Sequence, residues 1–135
     1  MRILCVLLFP FPFSRMNSKQ FLQVGGVILL LLGIVGFFMP NILGELLTFN
    51  AAENYAHLVL GVVALLASTG PVTIQKPLVL VVGLVALFFG VAGFMVAGNA
   101  VPNFFGVVHL DNPVDNVLHL VVGVWAIWAG MNTKA

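Results

Sequence analysis

The sequence predicts an all-α integral membrane protein, a four-transmembrane-helix bundle built from two tandem parallel helical-hairpin repeats. Three observations predict it. Hydrophobic residues make up 61% of the 135 residues and charged residues only 7%, against roughly 25% charged in an ordinary soluble domain. Four apolar stretches are each long enough to cross a bilayer core of ~30 Å at ~1.5 Å per helical residue. A segment of the first half of the chain also recurs in the second. Five basic and four acidic side chains cannot solvate a water-soluble fold of this size. Net charge +1 offers no electrostatic footprint for nucleic acid. The expected partner is the lipid bilayer.

Taken in order, residues 1–19 read as an N-terminal cytoplasmic segment and 20–135 as the four-helix membrane domain. Residues 1–15 are apolar but too short for a span, and Pro10 and Pro12 interrupt them. Arg2 before an apolar run resembles a signal peptide, yet no small-residue cleavage site follows. Met16 opens a more conventional beginning, so residues 1–15 are read as a candidate misassigned start. Cys5 is the single cysteine, which excludes an intramolecular disulfide and a C-x-x-C redox pair.

The four spans are expected at about 21–39, 50–69, 77–97 and 113–131. Their length and their lack of period-2 alternation favour helices over strands. The charges then sort by side. Arg15, Lys19, Lys76 and Lys134 fall at one end of the bundle, and Glu45, Glu53, Asp111 and Asp115 at the other. Basic residues in short loops mark the cytoplasmic face, so both termini are expected in the cytoplasm. The loops at 41–49 and 103–110 are too apolar for solvated coil. Short interfacial helices, or segments folded back over the bundle, are expected there.

With an offset of 62, residues 40–68 align with 102–130 without a gap, and 12 of the 29 positions are identical. The matches include Asn50, Asn54, His57 and Gly61 with Asn112, Asn116, His119 and Gly123. Gly26, Gly33 and Gly36 align with Gly83, Gly90 and Gly93 at an offset of 57. Each unit has an even number of spans, so the copies enter the membrane in the same direction and imply a pseudo-two-fold axis along its normal.

The repeated motif runs from Asn50 to Gly61 and from Asn112 to Gly123. Asn50 and Asn112 read as helix N-caps, with Glu53 and Asp115 completing capping boxes. Pro113 takes the first helical position, where its missing N–H costs nothing. Asn54, His57, Asn116 and His119 lie deeper, where an amide or imidazole needs a partner. Gly61 and Ala64, like Gly123 and Ala126, continue the same helix faces with small residues that permit close approach. The expected arrangement packs spans two and four together, with these four polar side chains hydrogen-bonded between them.

Other readings stay open beside this one. His57 and His119 at equal depth could ligate a haem iron. With Glu53 and Asp115 four residues earlier, a zinc or other metal site is geometrically conceivable. An imidazole beside a carboxylate also suits proton relay, as a channel or transporter subunit would require. No P-loop, nucleophile elbow, zincin or Rossmann pattern occurs. No catalytic residue is assigned and no cofactor is expected as the main reading. The small-residue faces suit a homo-oligomer or a membrane-protein partner.

At these residues the chain resembles an uncharacterised bacterial multi-pass family, domain of unknown function 4383. The resemblance rests on His57-Leu-Val-Leu-Gly61, on Asn112-Pro-Val-Asp-Asn-Val-Leu-His119 and on Gly123, and it covers about 20–131. It implies a four-helix protein of the bacterial plasma membrane and no established activity. The expected function is thus a non-enzymatic structural or accessory membrane component. The alternatives are a haem- or metal-binding redox or sensing protein, and a proton-coupled channel or transporter subunit.

Overall fold

The computed structural model describes residues 16–42, 47–100, 102, 104–106, 109–110 and 113–134. The candidate start at 1–15 and the expected cap Asn112 lie outside the described residues. Among the described residues, four helices are long and apolar enough to cross a membrane: α1 (Ser18–Phe38), α2 (Ala51–Ser68), α3 (Val72–Val96) and α4 (Pro113–Asn132). At most 28% of any of these spans is buried inside the molecule, and only 17% of α2. Most of each helix surface is left to hydrocarbon, as expected of helices in lipid.

Local sequence sets the helix ends. Asn17 caps α1: its Oδ1 accepts from Gln20 N at 3.0 Å, and Gln20 Oε1 accepts from Asn17 N at 3.1 Å. This box lengthens α1 to Ser18, earlier than the apolar run alone suggests. Pro40 lies just beyond the other end, where it cannot continue a helix. Helix α3 departs further from expectation. It begins at Val72, and Pro77 lies inside it. Proline at 77 removes one intrahelical hydrogen bond without ending the helix. The turn before it is fixed instead by Gln75, whose Nε2 donates to the carbonyls of Ser68 (2.9 Å) and Gly70 (2.8 Å) and more weakly to Ala67 (3.2 Å). Gln75 thereby satisfies carbonyls that the end of α2 leaves open.

The first long loop folds back on itself. Strands β1 (Asn41–Ile42) and β2 (Leu47–Thr48) pair antiparallel, with Asn41 opposite Thr48, and Phe49 N donates to Pro40 O at 2.8 Å. The described part of this loop is thus a short β-pairing, where an interfacial helix or a segment folded over the bundle was expected. In the second loop Phe105 and Gly106 turn the chain with φ of 51° and 68°.

The closest packing joins α1 to α2 and α3 to α4. A Cβ added at Gly61 would lie 2.9 Å from Gly26 O, and one at Gly26 would lie 3.1 Å from Gly61 O. The backbones of α1 and α2 therefore touch. In the second hairpin a Cβ at Gly123 would lie 3.0 Å from Gly83 O. Gly33 meets Leu58 and the Asn54 carbonyl, and Gly90 meets Leu120 and the Asn116 carbonyl. The small residues of α2 and α4 are thus occupied by α1 and α3. This corrects the expectation that spans two and four pack together: the glycines of spans one and three offer the closer backbone.

The hairpins join at the end that carries Lys19 and Lys76. Thr133 Oγ1 accepts from Ser18 N at 2.7 Å, lies 2.7 Å from Ser18 Oγ, and donates to Ala129 O at 2.8 Å. Lys76 Nζ donates to Thr133 O at 3.1 Å. Next to this clasp, Phe21, Leu22, Val79, Ala126 and Ala129 form the buried core. The Phe21 and Trp125 rings meet edge to face at 4.6 Å.

Two measurements check this packing in detergent. Gly61→Ala should lower unfolding stability by ~1–3 kcal/mol through overpacking. Gly25→Ala, whose Cβ has nothing nearer than 4.0 Å, should be neutral or stabilising by about 0.5–1 kcal/mol through helix propensity. Equal effects would refute the backbone contact. Thr133→Val should cost ~1–3 kcal/mol by leaving buried Ser18 groups unpaired; a wild-type melting curve would show that the clasp is dispensable.

Candidate functional site: the asparagine and histidine end

The repeated motif lies at the end of the bundle opposite the clasp. Asn50 caps α2 as its sequence requires. Its Oδ1 accepts from Glu53 N at 2.9 Å, and Glu53 Oε2 accepts from Asn50 N at 3.1 Å. The Glu53 carboxylate is therefore turned back to the helix start and away from His57. In the second copy the described contact of the acidic residue is with the histidine. Asp115 Oδ2 lies 3.4 Å from His119 Nδ1, and that nitrogen is also 2.9 Å from Asp115 O. With Nδ1 as the donor to that carbonyl, a neutral His119 leaves Nε2 as the acceptor. His57 Nδ1 is buried with no hydrogen-bond partner.

One turn before each histidine, an asparagine is buried almost completely: Asn54 is 3% exposed and Asn116 1%. Each is seated on a glycine of the neighbouring helix. A Cβ on Gly36 would overlap the Asn54 amide, and one on Gly93 would overlap that of Asn116. The glycine hydrogen in that position points at the amide oxygen, giving a weak Cα–H···O contact worth about 0.5–1 kcal/mol. Neither Asn54 Oδ1 nor either polar atom of the Asn116 side chain has a conventional hydrogen-bond partner. The expected hydrogen bonds between spans two and four are therefore not made by these atoms. The amides face glycines of their own hairpins instead.

Glu53 and His57 lie in the first half of α2, and Asp115 and His119 in the first half of α4. The chain thus gathers carboxylates and imidazoles from both halves at one end. Among the described residues, no three His, Cys, Asp or Glu side chains are grouped closely enough to hold a metal ion. Gly61, Ala64, Gly123 and Ala126 do not widen a space between the histidines, because the two glycines are filled from α1 and α3 and Ala126 belongs to the core.

Sequence reasoning named these residues but missed the partners. Gly36 and Gly93 were visible as repeated glycines, and antiparallel pairing within a hairpin would have placed them opposite Asn54 and Asn116. Gln75 and the Ser18–Thr133 pair carried no motif. They are recognisable only once the helix ends meet.

Gly93→Ala should destabilise the protein strongly, and Asn116→Ala should relieve that loss. A double-mutant cycle read by thermal unfolding should give a coupling of about 0.5–3 kcal/mol. Additive losses would mean that the amide does not sit on Gly93.

No protein-family model matches the chain, and no curated protein and no solved structure is significantly similar to it.

Proposed function

We propose that this integral membrane protein is a non-enzymatic structural or accessory component of a bacterial plasma membrane, made of two copies of one helical hairpin. The observation that carries this reading is the use made of the buried amides. Asn54 and Asn116 occupy the same place in each hairpin, and each is committed to a glycine of the adjoining helix. Polar groups in this setting act in helix association. The capping box of Asn50 and Glu53 is likewise structural. Asn112 is assigned the same capping role in the second copy, with Asp115 shared between the helix start and His119. The resemblance to domain of unknown function 4383 is in keeping with this reading. The placement of both termini in the cytoplasm rests on Arg15, Lys19, Lys76 and Lys134 lying toward one side.

A second reading, binding of haem or a metal by His57 and His119, is favoured by one observation. The Nδ1 of His57 is buried with no hydrogen-bond partner. Purified protein in detergent discriminates the two. The structural reading expects substoichiometric iron, zinc and copper by elemental analysis and no haem absorption band. About one metal per chain, lost in His57→Ala and His119→Ala, would replace it with the cofactor reading. A reporter fused to the C-terminus should be active on the cytoplasmic side, and a periplasmic signal would reverse the orientation.

A further inference from the structure

We infer that the clasped end of the bundle binds the headgroup of an anionic phospholipid, through the ammonium groups of Lys19, Lys76 and Lys134. Such a site adds a ligand to the structural role proposed above. Helices α1 and α3 start at this end, and α2 and α4 finish there. Thr133 ties three of them together. Its hydroxyl oxygen lies 2.7 Å from both Ser18 N and Ser18 Oγ, and its carbonyl accepts from Lys76 Nζ at 3.1 Å. Lys19 follows Ser18 and Lys134 follows Thr133, each one peptide or ~3.8 Å along the chain. The clasp therefore gathers three cationic residues, although the residues it bonds are 115 positions apart. Lys19 and Lys134 are exposed. An ammonium carries three donors, so Lys76 keeps others free beside its bond to Thr133 O.

These charges are held together by neutral groups, without an acidic side chain among them. Glu53 and Asp115 lie in the first turns of α2 and α4, at the opposite end. Glu45 and Asp111, the remaining acids, are joined by short segments to those same helix starts. A helix length of about 27–30 Å separates the two ends, well beyond the ~8 Å over which physiological salt screens charge. The anion that balances the lysines must come from outside the chain.

Depth in the bilayer selects that anion. Helix α1 has 21 residues, and at ~1.5 Å each it matches a bilayer core of ~30 Å. Its first turn, with Lys19, stands at the level of the lipid headgroups. Lys76 lies one turn into α3, and its stem runs back so that its ammonium reaches Thr133, as lysines near helix ends do. Phosphate is the anion at this level. In a zwitterionic lipid the phosphate is balanced by that lipid's own ammonium, whereas an anionic phospholipid leaves it open to the protein. Lysines at a membrane surface attract such lipids individually. Here the fold assembles them from three parts of the chain into one place.

The two tryptophans of the chain report on this site. Trp125 and Trp128 lie on the last turns of α4, and Trp128 is exposed. The full chain is reconstituted in phosphatidylcholine bilayers with phosphatidylglycerol in both leaflets, so the result does not depend on orientation. Bromine is placed on the acyl chains of one lipid or the other. Tryptophan quenching should show phosphatidylglycerol associating at least about fivefold more strongly than phosphatidylcholine. Lys19→Gln combined with Lys134→Gln should bring that ratio to within about twofold of one. Thr133→Val keeps every charge but removes the clasp, and should lower the ratio at least about twofold. Circular dichroism checks that each variant is folded at the temperature of measurement. A wild-type ratio near one, or a ratio indifferent to the paired lysine substitution, would overturn the site. A ratio unchanged by Thr133→Val would show diffuse surface charge in place of an assembled site, and would overturn it equally. Loss of selectivity on adding inorganic phosphate at constant ionic strength would replace the lipid with a soluble anion.

Discussion

Backbone-to-backbone contact through glycine is the constraint from which the rest of this structure follows. In water, apolar faces attract because water expels them. Between helices in lipid that force is absent. Association then depends on how closely two helices approach, and Gly26 against Gly61 and Gly83 against Gly123 set that distance. Larger side chains fit into the spaces this leaves: Leu30 and Leu65 beside Gly61 and Gly26, Leu87 and Ile127 beside Gly123 and Gly83. The two hairpins repeat the same contacts, with Ile127 of the second standing where the first has Leu65. Asn54 and Asn116 belong to this scheme, since a fully buried amide fits only where the opposing residue has no side chain.

The two ends of the bundle solve different problems. At the clasped end, helix termini bring open N–H and C=O groups together, and short polar side chains close them. Ser18, Thr133, Gln75 and Lys76 bond to backbone groups or to each other. At the motif end, Asn50 and Glu53 close a helix start in the same way, but deeper polar atoms are left over. His57 Nδ1 and the Asn116 amide lack conventional partners. Glu53 closes a capping box with Asn50, and Asp115, the residue aligned with it, pairs with a histidine one turn on.

Much of this was legible in the sequence. Length and hydropathy placed four helices, because a span must be long and apolar whatever its neighbours are. Asn50 and Glu53 were readable as a cap because capping is local. The partners of α2 and α4 were not, because a small-residue face specifies only that something approaches closely. The glycines of spans one and three held the missing information, and it became usable only with antiparallel pairing inside each hairpin. The start of α3 was not legible for a related reason: the apolar run begins at residue 77, but Gln75 anchors the preceding turn to carbonyls of another helix, which no local pattern reports.

The Ser18–Thr133 bond joins residues 115 positions apart. A chain that enters the membrane as it is synthesised cannot form it until Thr133 has left the ribosome. The first hairpin must by then have waited in the bilayer without its neighbour. Its own glycine rungs and its capped helices allow it to do so, and the second hairpin arrives with an equivalent set. Each hairpin thus carries within itself the contacts that hold its two helices together, and the bond between the hairpins can form only after both are in place.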